Sequence, residues 1–431
     1  EVALIDDPAG EARALATALG RQATVAAAAD QPVHTLYWPA DRFDALTVTE
    51  ASADARALFE AELPNPSALA SALEWTDAAE PGLAEATWER TRTRLQQGPV
   101  EDLRIDFEDG YGRRDDATEN AHADAAAASL VEALAADRIC SRVGIRIKTI
   151  TPEEVGRAAE TLERFVDRLA EAGRFPETFV VTLPKVTHPA QVERGVAWLA
   201  ELERRYARPE HSMRLEVMVE TTASLVDREG RSPLPAIVDA GVPRLLGIHL
   251  GVYDFTASLH LPPGQQAPDH PFCDLARGQM RLAVGGRVHL SDGASNVRPV
   301  GDGKAIRRAW RIGYAHVQRA LAQGYAQGWD MHPGQLVVRH AANVAFWRAG
   351  YTDLAARLSA MIDSATRAQG ANTVQGAVID EPATAAALYR AVCRAWRVGA
   401  IDEAELGAAS LTTADVGHDS FADLVRSRRT P

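Results

Sequence analysis

Short apolar runs recur along the chain, each closed by a charged or polar residue and separated from the next by a stretch of helical period. The runs are 34–38, 103–107, 143–147, 179–183, 215–219, 245–250, 288–290 and the weaker 329–331. Runs this short and this apolar read as strands buried on both faces. Between them Val192, Val196, Leu199 and Leu202 make one helical stripe, and 305–325 makes a further helical segment. Eight strands in alternation with helices predict a (β/α)8 TIM barrel, although a doubly wound open sheet alternates in a similar way. Residues 1–32 read as an N-terminal helical extension and 33–350 as the barrel. A helical, loop-rich insertion at 43–100, broken at Pro64-Asn65-Pro66, is too long for an ordinary connection and reads as an elaborated first crossover. Residues 351–431 read as a C-terminal helical cap and tail. Within them 351–368 and 382–398 are helical, the latter with Leu388, Val392 and Trp396 in one stripe. The stretch 369–379 reads as a Gly- and Ala-containing linker, and the tail from 409 as a segment that covers or frays.

A barrel carries its reacting groups just past the carboxyl ends of its strands. At those places the chain has Asp41 and Arg42, Glu108 and Asp109, Arg146 with Lys148, Lys185, Glu220, Asp254, Asp292 and His332. Glu220 and Asp254 close two neighbouring runs, and two acids delivered side by side suit a hard divalent cation such as Mg2+ or Mn2+. The competing local reading is that Glu220 caps the next helix and Asp254 closes a turn.

Bulk properties narrow the partners. With a net charge of −13 over 431 residues, neither a nucleic-acid backbone nor an anionic membrane surface is expected as the main partner. No apolar run approaches the roughly 18 residues of a membrane helix. The start Glu1-Val-Ala-Leu-Ile-Asp-Asp lacks the basic region and apolar core of a secretory signal, so the expected location is cytoplasmic. Cys140, Cys273 and Cys393 are odd in number and far apart, with neither disulfide nor zinc spacing. His249, His260, His270 and His289 likewise lack a tight ligand spacing. Of the 46 basic residues only Lys148, Lys185 and Lys304 are lysine, which points to sites where a compact, titratable ammonium is needed. Gly303-Lys304 is followed by Ala305, and Arg298 stands where a P-loop has its first glycine, so no nucleotide-binding loop is expected.

Across 33–395 the order of short motifs resembles the aldolase/citrate lyase beta-subunit family. The motifs are Ile105-Asp-Phe-Glu-Asp-Gly110, Arg146, Leu183-Pro-Lys-Val186, Val219-Glu-Thr221, Gly251-Val-Tyr-Asp254, Ser291-Asp-Gly293 and Met331-His-Pro-Gly-Gln335. Malate synthase is a more distant likeness, and Ile379-Asp-Glu-Pro-Ala-Thr384 resembles the place where both groups carry an aspartate reaching the active site. Two departures bear on substrate choice: Lys148 stands where the family usually has Asn, and Tyr253 where it usually has Glu before the metal-binding aspartate.

The resemblance implies a Mg2+-dependent carbon–carbon lyase or aldolase acting on a 2-oxo or 3-hydroxy acid, in some relatives as a coenzyme A thioester, through a metal-stabilised enolate. Glu220 and Asp254 would hold the metal. Arg146 would grip a substrate carboxylate or polarise a carbonyl, or pair with Glu108 or Asp109. Glu108 and Asp109 would orient metal waters or Arg146, with a plain turn as the alternative for Asp109-Gly110. Lys185 would bind substrate phosphate or carboxylate or sit in a buried ion pair, and Asp292 would contact substrate. His332 would shape the last loop or move a proton. Asp380 is either the general base, brought over its own or a neighbouring barrel mouth, or the N-cap of the helix that follows. The competing chemistries are a malate synthase-like Claisen condensation, a Schiff-base aldolase using Lys148 or Lys185, a barrel enzyme acting on phosphoenolpyruvate, and a degenerate barrel kept for binding. Relatives imply a homo-oligomer, a trimer or hexamer.

Overall fold

Strands form where the apolar runs lie, and they close on one another. In order they are β1 (His34–Pro39), β2 (Asp102–Asp106), β3 (Arg142–Arg146), β4 (Thr178–Leu183), β5 (Met213–Val219), β6 (Leu245–Leu250), β7 (His289–Ala294) and β8 (Gln327–Asp330). Each pairs in parallel with its sequence neighbours and β8 pairs with β1, so the sheet is a closed barrel with helices between its strands. The structure is a computed structural model describing residues 31–75, 82–366, 373–375, 378–380 and 382–429. The helix expected at 1–30 lies outside the described residues.

The strands are less uniformly apolar than buried parallel strands usually are. Along β2, Leu103 and Ile105 face the helices, and Phe107 just beyond the strand joins them in the main core. Asp102, Arg104 and Asp106 alternate with them on the other face. Arg104 lies wholly buried there, donating to Asp102 at 3.0 and 2.9 Å, to Glu216 at 2.7 Å and to Thr182 Oγ1 at 2.9 Å. Trp329 Nε1–H donates to His249 Nδ1 at 2.9 Å, which leaves His249 Nε2 to face Glu216 at 3.1 Å. Buried charge is tolerated here because every carboxylate has a cationic or donor partner.

The helices cover the barrel in the usual way. Val155–Glu171, after β3, buries Leu162, Phe165, Val166 and Leu169 on a single face. The insertion after β1 consists of helices Thr47–Glu62, Pro66–Ala72 and Leu83–Gln96; Asn65 starts the second by accepting the Ala68 N–H at 2.9 Å.

In the C-terminal part the helices expected at 351–368 and 382–398 form, while the linker between them departs from expectation. Helices Tyr351–Thr366, Pro382–Arg397, Glu403–Ala408 and Phe421–Arg429 build a second core that includes Val33 and Val344. Arg394 donates to the carbonyls of Gln31 and Ala326, just ahead of β1 and β8. These helices therefore pack at the amino-terminal end of the strands, opposite the end that carries function in such barrels. The expected linker holds an antiparallel pair, β9 (Thr373–Gln375) and β10 (Val378–Asp380). The tail does not fray: Leu424 is buried, and Tyr389 Oη donates to the carbonyls of Asp415 and His418.

Candidate active site at the carboxyl end of the barrel

At the other end of the strands lies a cavity of about 620 Å³. It is lined by residues that end or follow β1, β2, β3, β5, β6, β7 and β8, among them Asp106, Asp109, Arg146, Glu220, Asp254 and His332. Its acidic side is organised by two residues that place their neighbours.

Asp106, the last residue of β2, is the first of these. It accepts Arg146 Nε and Nη2 at 2.6 Å each, and also the backbone N–H of Glu108 at 3.0 Å and of Gly110 at 2.8 Å. Those two amide bonds fold the loop after β2 so that Asp109 turns toward the barrel axis. A side chain at position 110 would put its Cβ 2.5 Å from Asp106 Oδ2, so the loop needs glycine there.

Lys185, after β4, is the second. Its backbone has φ of 51°, in the left-handed region that costs a non-glycine residue about 1 kcal/mol. In that conformation its N–H donates to Glu220 Oε1 at 2.6 Å. Its ammonium meets Glu108, reaches Asp109 at 2.9 and 3.1 Å, and lies 3.9 Å from Asp254. Strain held at a site where one residue contacts four acids is what a positioning role requires.

The result is a convergence of Asp109, Glu220 and Asp254, each offering one carboxylate oxygen within 4.8 Å of the others. Among the described residues it is the group of potential metal ligands that the structure brings together. Charge bookkeeping favours a cation. Arg146 is already matched to Asp106, with Nη1 3.4 Å from Glu108, so Glu108, Asp109, Glu220 and Asp254 share little beyond Lys185. Burial pushes the Glu220 carboxyl up to about 8, with Arg146 and Lys185 opposing and Asp254 and Glu108 adding to the rise. Burial likewise raises Glu108 to about 7 and raises Asp254. Asp109 is held below the usual range: against its burial, hydrogen bonding to Glu108 and Lys185 and the nearby charge of Arg146 prevail. Three hard oxygen donors with surplus negative charge, one of them buried, fit a Mg2+-like ion.

The sequence-predicted residues divide. Glu220, Asp254, Asp109, Glu108, Lys185 and Arg146 come together. Glu220 does not cap the next helix, which Thr221 does, and Asp254 stands in the first turn of the helix Val252–Ser258. Arg146 pairs chiefly with Asp106, which the sequence reading passed over, and more loosely with Glu108. His332 lines the cavity while its Nδ1 caps the helix Pro333–Arg348 by accepting the Gly334 N–H at 3.1 Å. Asp292 is not brought to the cavity: Arg277 takes its carboxylate at 2.9 and 3.0 Å, between β7 and the helix Pro271–Val284. Lys148 is also turned away, its ammonium held by the carbonyls of Phe107 at 2.7 Å and Gly112 at 3.3 Å and by Glu119 at 3.3 Å. Asp380 ends β10, its backbone paired with Thr373, and its side chain lies outside the described residues.

Comparison with known proteins bears on family and fold. A family described as "Domain of unknown function (DUF6986)" matches residues 13–424. None of the curated proteins matches. Among solved structures, a citrate lyase from Burkholderia xenovorans LB400 is similar over 75% of this chain and 92% of its own, with 21% identity and a TM-score of 0.55. A Haloferax volcanii malate synthase is similar over 74% of this chain and 76% of its own, with 14% identity and a TM-score of 0.46.

Proposed function

We propose that this chain, which belongs to the DUF6986 family, is a Mg2+- or Mn2+-dependent carbon–carbon lyase, cleaving or, in the Claisen-type reverse, forming a bond beside the carbonyl of a 2-oxo or 3-hydroxy acid. The observation that carries the reading is the convergence of Asp109, Glu220 and Asp254 on one point at the carboxyl end of a barrel, next to Arg146. The name of the Burkholderia protein, a citrate lyase, is in keeping with it.

Asp109, Glu220 and Asp254 would hold a divalent ion, which would supply Lewis acidity to offset the negative charge of the enolate left when such a bond breaks. The chain's own groups do the rest. Arg146, kept in place by its two bonds to Asp106, lines the cavity where a substrate carboxylate or carbonyl would meet it. Lys185 holds Glu108 and Asp109 and fixes Glu220 through its amide. In this reading Asp380 removes the proton. The helix after it is fastened beneath its own barrel by Arg394, which favours the mouth of a neighbouring copy in a trimer or hexamer.

A Schiff-base mechanism is disfavoured by the surroundings of both lysines. An amine nucleophile must lose its proton, and Lys185 is pushed the other way: burial lowers its pKa, but Glu108, Glu220 and Asp109 together raise it above the ordinary value. Lys148 is committed to two carbonyls and Glu119.

The test is isothermal titration of metal-stripped protein with Mg2+ and Mn2+, with and without pyruvate, oxaloacetate or glyoxylate. Metal binding that tightens with a 2-oxo acid and is lost in Glu220→Ala and Asp254→Ala is the expected result. Binding that survives both substitutions, or none in the unaltered protein, overturns the reading.

A further inference from the structure

Beside the acids and Arg146 the cavity has a wall of different character. Tyr37, Trp38, Val252, Tyr253, Trp329 and Met331 line it. Three of its large rings have their polar atom bonded to the protein. Trp38 Nε1 donates to the Arg42 carbonyl at 3.1 Å, Tyr253 Oη accepts the Asn296 N–H at 2.6 Å, and Trp329 Nε1 donates to His249 at 2.9 Å. Each ring is thereby fixed in orientation. Tyr37 and Trp329 pack with centroids 4.9 Å apart and cluster with Met218 and Ala294, the Tyr37 Oη lying buried without a hydrogen-bond partner and its ring 5.0 Å from the Arg146 guanidinium. Trp38 and Tyr253 are half-buried, and Met331 is 41% exposed.

A wall of this kind does nothing for a small 2-oxo acid. Pyruvate or glyoxylate would be held by the metal and Arg146 and would leave most of the 620 Å³ empty. Cavities of about 300–1,000 Å³ take ligands of drug size, lined by apolar groups with a few polar ones that set orientation. Fixed aromatic rings lose little entropy on contact and prefer flat partners stacked or edge-on, while methionine adapts its shape to fill around them.

Resting on the metal-and-enolate reading above, we propose that the substrate is a 2-oxo or 3-hydroxy acid bearing a flat apolar substituent, of aryl type, seated on Trp38, Tyr253 and Met331. The acid end lies at the metal and Arg146. Arg42 and Arg298, which also line the cavity, draw the anionic molecule to the mouth.

The experiment compares pyruvate, phenylpyruvate and 2-oxooctanoate by isothermal titration in saturating Mg2+, on the full chain and on the Trp38→Ala and Met331→Ala variants. Phenylpyruvate is expected to bind about tenfold more tightly than pyruvate and more tightly than the flexible aliphatic acid. Trp38→Ala is expected to lower phenylpyruvate affinity about tenfold more than it lowers that of pyruvate, and Met331→Ala to do so less strongly. Equal affinity for pyruvate and phenylpyruvate, a preference for 2-oxooctanoate, or a Trp38→Ala loss that is the same for all three acids overturns the inference and leaves the metal reading standing. Absence of Mg2+-dependent binding for all three acids removes the metal reading, and the inference falls with it. Circular dichroism of both variants shows whether a loss comes from unfolding; were both unfolded, the acid preference of the unaltered protein alone decides.

Discussion

Asp106 has no contact with the converging oxygens and yet sets where one of them goes. Its carboxylate accepts four hydrogen bonds, two from Arg146 and two from the loop that carries Asp109. Asn at this position keeps the size and one acceptor but turns an NH2 group toward donors. The buried pair with Arg146 is then broken from one side, which typically costs about 3–5 kcal/mol. Asp106→Asn is expected to lose about that much stability in urea titrations and to bind Mg2+ more weakly, because Asp109 is released. Unchanged Mg2+ affinity would show that the loop holds Asp109 without this anchor. At this scale the sequence was readable where an acid follows an apolar run, as at Glu220 and Asp254. It was not readable at Asp106, because the apolar residues of 103–107 mask an alternation in which Asp102, Arg104 and Asp106 stand between them. A period of two in that segment was the available signal. Asp292 misled for the opposite reason: a strand-end acid is equally able to turn outward, and only the partner, Arg277, shows which way it went.

The elements matter through how closely their ends approach. Gly251 follows β6 and donates its N–H to the Val219 carbonyl at 2.9 Å, joining the ends of β5 and β6. A Cβ at position 251 would fall 2.5 Å from Glu220 Oε2 and also against that residue's Cβ. The backbone there has φ of −87°, which any residue adopts, so the glycine answers to space and not to conformation. Gly251→Ala is therefore expected to displace the Glu220 carboxylate and weaken Mg2+ binding at least tenfold. Its cost in stability is expected to be smaller, roughly 1–3 kcal/mol, as for other small-to-large changes in tight sites. Titration with Mg2+ beside urea denaturation separates the two effects, and a variant that binds Mg2+ normally would show that β5 and β6 yield to make room. The strand order and the barrel were legible because periodicity reports which stretches are buried. The distance between two strand ends is set by closure of the sheet, and no local pattern encodes it.

For the whole molecule, the two ends of the barrel do different work. The carboxyl end gathers acids with few partners, while the amino end is fastened by the C-terminal helices, with Arg394 as the tie. Leu388, Val392 and Trp396 showed in sequence that the helix Pro382–Arg397 buries one face, but an amphipathic stripe does not say against which surface, and in the structure the helix packs at the amino-terminal end of the barrel. Arg394 is buried and donates to the carbonyls of Gln31 and Ala326, and burial pulls its guanidinium down to about 10. Arg394→Met keeps the length and apolar stem but leaves those carbonyls without a partner, each worth about 1–3 kcal/mol when buried. Relief of the buried charge offsets part of that, so a net loss of about 2–4 kcal/mol is expected in urea titrations. Mg2+ affinity measured on the folded variant should stay within twofold of the unaltered protein, since the three carboxylates are held by loops at the opposite end. A large drop in affinity without unfolding would mean that the amino-terminal tie sets the geometry of the mouth through the polar interior of Arg104, Glu216 and His249, and that the two ends of this barrel are one mechanical unit.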